Sequence, residues 1–168
     1  MVYRVCILTV STKGSRAERT DESGERLAEM VTRLPAEVIG RAVVSDEVPE
    51  IRKQVHEWLK AVDPHLILLT GGTGLSPRDV TPQALAPLFD YEVAGLAEAM
   101  RAAGLKKTPH AMLSRSVAGV KGRTLILAVP GSPRGATDSV EAVMEALPHA
   151  LRMLRDDVSD EPAAHRPS

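Results

Sequence analysis

The residues best suited to chemistry cluster at positions 69–82, Leu-Thr-Gly-Gly-Thr-Gly-Leu-Ser-Pro-Arg-Asp-Val-Thr-Pro. Gly71, Gly72 and Gly74 let the backbone turn sharply and approach a ligand closely. Free N–H groups in such a turn form a cradle for an anion, and a following helix adds a favourable dipole at its N-terminus. Thr70, Thr73 and Ser76 supply hydroxyls, and Arg78 supplies a cationic fork suited to phosphate. The segment is not a Walker P-loop, because the Gly-Lys-Ser/Thr ending is missing. Nor is it a dinucleotide fingerprint, since Pro77 stands where the third glycine belongs. A tight structural turn with a charged rim is the competing reading of the same residues.

Three further segments carry polar groups in loops. A carboxylate from Ser45-Asp46-Glu47, with Asp79 from the glycine segment, would hold Mg²⁺, which takes one or two carboxylates plus substrate phosphates. Alternatively, Asp46 caps the helix that follows it, and Asp79 stands in the same relation to the next helix. Pro130-Gly131-Ser132-Pro133 is either a second ligand loop or a plain turn into a helix. Ser114-Arg115-Ser116 offers hydroxyls and a guanidinium to an anion, or forms an exposed polar loop. The five histidines show no metal-ligand spacing, and there is no HExxH, CxxC or GxSxG motif, so zinc chemistry and serine hydrolysis lack support.

These loops must be positioned by regular elements. Residues 3–10, YRVCILTV, read as a buried strand, followed by a polar loop over 11–19. A helix is expected from Thr20 as N-cap, with Leu27, Met30, Val31 and Leu34 on one face and Pro35 ending it. Residues 37–44 form the second strand, and a helix entered through Pro49 buries Ile51, Val55, Trp58, Leu59 and Val62. A strand over 65–69 leads into the glycine segment, and Thr81 caps a helix with Pro82 at its first position. Residues 89–103 are apolar and partly helical, and 116–129 form a hairpin around Lys121-Gly122. Pro148 is expected to kink or split a last helix carrying Val140, Val143, Leu147 and Leu151. Strands alternating with helices predict an α/β fold with a mostly parallel sheet, whose ligands bind at the strands' carboxyl ends.

Composition bounds the remaining choices. The 168 residues suit one domain, expected over 1–155, with an acidic and then Pro/Ala-rich tail at 156–168 that is expected to be disordered. A net charge of −1 gives no push toward nucleic acid or membranes, and 2% aromatics leave little for base stacking. The single cysteine, Cys6, cannot form an internal disulfide, which fits a cytoplasmic protein. No run reaches the roughly 18 apolar residues of a membrane helix.

Taken together, the segments resemble the MogA/MoaB family of molybdenum cofactor biosynthesis, also seen in the G domain of gephyrin. The likeness runs from about Val5 to Leu154, nearly the whole domain. It is carried by Gly-Gly-Thr-Gly at 71–74 with Pro-Arg-Asp-Val-Thr-Pro at 77–82, by Ser45-Asp46-Glu47, by Ala111-Met112-Leu113-Ser114-Arg115-Ser116 with Ala118-Gly119, and by Pro130-Gly131-Ser132-Pro133. The resemblance implies a three-layer α/β/α fold, a homotrimer or homohexamer, and Mg²⁺-dependent transfer of AMP from ATP to molybdopterin, a nucleotidyltransferase activity. It implies that Asp46 and Asp79 are catalytic and metal-binding. It also implies that the glycine loop binds nucleotide, and that Ser114, Arg115 and Ser132 line the pterin and nucleotide pocket. A downstream metal-insertion protein is the implied partner. The chain departs from many members at Ser11-Thr12, where they have Ser-Asp, at Ser45, where they have Pro, and at Glu92-Val93-Ala94-Gly95, where they have Glu-x-Pro-Gly. Two alternatives accompany this reading: a MoaB-type paralogue that binds molybdopterin without catalysis, and hydrolysis of a nucleotide derivative as in the competence-damage family CinA.

Overall fold

A computed structural model describes residues 1–155; the tail expected at 156–168 lies outside the described residues. Six strands, β1 (Tyr3–Val10), β2 (Ala36–Val44), β3 (Leu66–Thr70), β4 (Tyr91–Glu92), β5 (Val117–Lys121) and β6 (Thr124–Val129), form one sheet in the order β2-β1-β3-β6-β5-β4. The first four in that order are parallel, β5 runs antiparallel to β6, and the short β4 pairs antiparallel with β5 and so returns to the common direction. The mostly parallel sheet is therefore present, closed on one side by the hairpin expected around Lys121-Gly122.

Period-two alternation explains the layers. Val5 and Ile7 of β1, Leu66 and Leu68 of β3, and Leu125, Leu127 and Val129 of β6 face one core. Cys6, Leu8 and Val10, Ile67 and Leu69, and Ile126 and Ala128 face the other. Helices α2 (Glu22–Val31), α5 (Ala94–Leu105), α6 (Pro133–Val143) and α7 (Leu147–Leu154) cover the first face. Helices α3 (Val48–Ala61) and α4 (Thr81–Leu85) cover the second. Full burial of a leucine such as Leu127 contributes about 1.5–3 kcal/mol. Burial also pushes the Cys6 thiol up to about 11, so it is an inert hydrophobe at neutral pH.

Four local expectations are corrected. The loop over 11–19 contains a one-turn helix, α1 (Thr12–Ser15), because the Ser11 hydroxyl accepts from the Gly14 N–H and caps it. The N-cap of α2 is Asp21, one residue beyond Thr20, since its carboxylate accepts from the Gly24 N–H. Asp46 does not cap α3; Glu47 holds the N-cap position and makes no side-chain capping bond. Thr81 is the first residue of α4 and not its cap, because its hydroxyl turns back to the Gly71 carbonyl. The expected break near Pro148 is a split between α6 and α7.

At the foot of the sheet, His65 is 7% exposed and accepts the Arg4 N–H at Nδ1. Its pKa is lowered to about 4, first by burial and then by the nearby Arg155 and Arg4. Arg155 bonds Asp63, whose pKa it lowers through that hydrogen bond, and so ties the end of α7 to the entrance of β3.

Candidate functional site

The parallel strands end in two glycine loops that touch. Gly71 and Gly72 follow β3 with φ of 105° and 69°, values that an L side chain rarely adopts. A Cβ at Gly131, after β6, would stand 3.1 Å from the Gly71 Cα. Hydroxyls fix this contact. Thr70 donates to the Pro130 carbonyl at 2.7 Å, Thr81 to Gly71 at 2.8 Å, and Ser23, from α2, to Gly131 at 2.7 Å. The Thr73 carbonyl accepts the Arg115 N–H at 2.8 Å. The Arg115 guanidinium then closes over the loop, with Nε to the Gly74 carbonyl at 2.9 Å, Nη2 to the Asp79 carbonyl at 2.7 Å and Nη1 to Gln83 Oε1 at 3.2 Å.

The loop carbonyls are thus held by protein donors. Among the described residues, by contrast, no acceptor takes the N–H of Gly72, Thr73, Gly74 or Leu75, nor that of Gly131, Ser132 or Arg134 at the start of α6. All seven residues line one cavity of about 730 Å³, a size typical of a small-molecule site. Two sets of free donors thus line one space, the second at a helix N-terminus, the chemistry that suits an anion.

The expected site residues divide by position. Gly72, Thr73, Gly74, Asp79, Ser114, Pro130, Gly131 and Ser132 line the cavity. Thr70 and Gly71 are buried behind it and shape it. Ser76 and Arg78 are exposed and outside the lining, although the Ser76 N–H bonds Asp79 Oδ2 at 3.1 Å and so fixes that carboxylate. Arg115 braces the loop from outside the lining. Asp46 is also outside it: its Oδ2 accepts the Thr12 N–H and hydroxyl, each at 2.9 Å. Asp46 follows β2 and Asp79 follows β3, and β1 lies between those strands.

Several residues of the site were not singled out from the sequence. Arg101 and Lys107, on and just after α5, and Arg134 and Asp138 on α6 also line the cavity. Lys107 pairs with Asp138 at 2.7 Å. The one available signal for Arg101 was a lone arginine within the small, apolar run Met-Arg-Ala-Ala-Gly. Thr12 and Ser23 gave no signal, because their partners lie 34 and 108 residues away, and Thr81 was expected only as a helix cap.

Among the described residues, no three His, Cys, Asp or Glu side chains are grouped to hold a metal ion. The donor set fits a cation that arrives with phosphates and takes a carboxylate such as Asp79, and does not fit a metal held by the protein alone. Nor, among these residues, is any helix long and apolar enough to cross a membrane.

Comparison with known proteins converges on the same loops' family. Residues 6–149 match the family model described as "Probable molybdopterin binding domain". The chain is 39% identical to molybdenum cofactor biosynthesis protein B of Escherichia coli K12, over 84% of this chain and 82% of that one. It is 32% identical to a molybdopterin adenylyltransferase of Helicobacter pylori, over 88% and 85%. The fold superposes on the crystal structure of the molybdopterin biosynthesis enzyme MoaB of Thermus thermophilus with a TM-score of 0.88 and 53% identity, covering 92% of this chain and 98% of that one. Gephyrin of Dictyostelium discoideum is 35% identical, but the chain spans only 24% of its length, and it spans 26% of the cinnamon protein of Drosophila melanogaster. With the family model over most of its length and relatives covered nearly end to end, the chain belongs to the molybdopterin-binding MogA/MoaB family of molybdenum cofactor biosynthesis.

Proposed function

We propose that the protein transfers AMP from ATP to molybdopterin, releasing pyrophosphate. The observation that carries this reading is the pair of loops that line one cavity beside Asp79 with N–H groups that no protein acceptor takes. A terminal phosphate oxygen of molybdopterin attacks the α-phosphorus of ATP in line, and the bond to the pyrophosphate oxygen breaks. No general base is needed, because a phosphate monoester is already ionised near neutral pH. The chain positions two anions that repel each other, and its fixed donors stabilise the charge on the transferring group without reorganising. The residues 72–75 and the start of α6 are the groups for this work, and Thr70, Thr81, Ser23 and Arg115 keep them in place.

Magnesium fits this reading as an ion carried by the nucleotide, with Asp79 and Asp46 as its protein ligands; when bound it neutralises phosphate charge. Assembly as a homotrimer or homohexamer, a cytoplasmic setting, and hand-over of the product to a metal-insertion protein complete the proposal. Sedimentation of the purified chain tests the first of these.

The position of Asp46 beside Thr12 and off the cavity lining favours a second reading, a domain that binds molybdopterin without turning it over. An assay with purified protein, Mg²⁺, labelled ATP and molybdopterin separates the two, with Asp46→Ala and Asp79→Ala run alongside. Adenylyl-molybdopterin formed by the native chain and lost in both variants supports transfer and both aspartates. Product that survives Asp46→Ala removes Asp46 from the chemistry. Pterin binding with no product supports the second reading.

A further inference from the structure

The proposed reaction brings anions into the cavity, yet the arginines expected from the sequence to meet them, Arg78 and Arg115, do not line it. Arg78 is exposed and outside the lining. Arg115 has all three guanidinium nitrogens engaged on Gly74, Asp79 and Gln83. Lys107 lines the cavity but is already paired with Asp138, and Arg134 lies exposed where α6 begins.

Arg101 differs from all of these. It projects from the interior of α5, is half-buried, and lines the cavity beside Ser114 and Ser116. Its Nη1 donates to the Ser116 carbonyl at 2.7 Å and reaches the Ser114 carbonyl at 3.4 Å. Among the described residues it has no carboxylate partner, whereas Arg26, Arg33, Arg41 and Lys107 each have one. Its Nε and Nη2 have no protein acceptor, and neither is sealed from solvent. Neutral carbonyls fix the direction of a guanidinium without cancelling its charge. What remains is a planar cation with two free donors, held in a cavity next to a pair of serine hydroxyls 2.9 Å apart.

We infer that Arg101 binds a phosphate group of a substrate in the cavity, with the one hydroxyl hydrogen that the Ser114–Ser116 pair does not spend between its own oxygens as a neighbouring donor. This inference rests on the proposed adenylyl transfer for the identity of its ligand. Two sources of phosphate are at hand, the nucleotide and the phosphate monoester of molybdopterin.

The test compares wild type with Arg101→Gln and Arg101→Lys, each first checked for an unchanged thermal midpoint. Binding of adenosine, ATP, molybdopterin and inorganic pyrophosphate is measured by calorimetry. The expected result is a loss of tenfold or more for ATP or molybdopterin in Arg101→Gln, partial recovery in Arg101→Lys, and adenosine binding within twofold of wild type. Loss confined to ATP assigns the nucleotide's phosphate, and loss confined to molybdopterin assigns the pterin's. Unchanged binding of both overturns the inference. So does a parallel loss of adenosine, which marks Arg101 as a prop for residues 114–116 only. If wild type binds neither ATP nor molybdopterin, the proposed transfer fails and pyrophosphate decides: binding that Arg101→Gln loses keeps the anion site, and no binding removes it.

Discussion

Thr12 and Asp46 grip each other reciprocally. The Thr12 N–H and hydroxyl both meet Asp46 Oδ2 at 2.9 Å, and the Asp46 N–H reaches back to the Thr12 hydroxyl at 3.2 Å. The loop after β1 is thereby bound to the loop after β2, and one oxygen of the carboxylate is held while the other carries none of these bonds.

Replacing Thr12 by Val keeps the shape and removes the hydroxyl. A hydrogen bond to a charged group contributes about 1.5–3 kcal/mol when well buried. Both residues are half-exposed, so the expected loss is about 1 kcal/mol, or roughly 2–4 °C in thermal midpoint for a chain of this size. Thr12→Ser is expected to restore most of it. Thermal unfolding of the three proteins checks this; equal midpoints would show that the backbone bond alone suffices.

Arg115 acts on the cavity through the loop that it braces. Arg115→Lys keeps the charge but cannot reach Gly74, Asp79 and Gln83 together, so lysine is expected not to rescue Arg115→Ala. Both variants should lose about 1–3 kcal/mol of stability. Amide exchange at Ser76, Asp79 and Thr81, whose N–H groups are bonded within the loop, should accelerate in both, and by more than exchange in β6. Slow exchange in the loop of Arg115→Ala would contradict the bracing role.

Two glycines with positive φ should respond very differently to alanine. At Gly71 (φ 105°) a Cβ would strike the Val10 carbonyl oxygen, whereas at Gly122 (φ 59°) it meets nothing within 4 Å. Gly122→Ala carries only the backbone strain, about 1 kcal/mol. Gly71→Ala adds a clash with immovable backbone and is expected to cost more than about 3 kcal/mol, or to abolish folding. Urea midpoints of the two variants test the contrast, and similar values would refute it.

His65 should make stability fall on mild acidification. Its folded pKa of about 4 lies below the ordinary 6.5, so the unfolded chain takes up the proton first. Its contribution is complete above about pH 6.5 and is lost as pH falls toward 4, up to about 3 kcal/mol in all. Asp63, whose pKa is itself lowered from 3.8, loses its contribution only below that window. His65→Asn can still accept the Arg4 N–H and should flatten stability between pH 4 and 6.5, as read from urea unfolding at pH 5 and 7. Parallel pH profiles for the two proteins would exclude His65 as the cause.

The sheet was legible because every buried strand alternates between two apolar faces, a pattern that the residues alone carry. The glycine loop was legible for a similar reason: Gly71 and Gly72 occur where the backbone must take positive φ, so residue type and geometry coincide. Residue type marked Ser114 and Ser132 as either ligand groups or plain turn residues, the resemblance chose the first, and both line the cavity. Other features depended on partners far along the chain. Ser23 and Gly131 are 108 residues apart, and α1 is tied to Asp46, 34 residues from Thr12. Thr81 stands where a helix cap is expected, yet its hydroxyl serves Gly71. Arg101 was invisible because only the packing of α5 decides which way its side chain leaves the helix.

The antiparallel hairpin sets two ends of the molecule apart. β6 runs from Thr124 to Val129, and the cavity lies beyond Val129, so the turn at Lys121-Gly122-Arg123 sits at the opposite end of the sheet, about 20 Å away along the strand. Gly122 is exposed and open around its Cα. That tip is where the chain can be lengthened, or a second folded unit grafted, without the addition meeting whatever occupies the cavity.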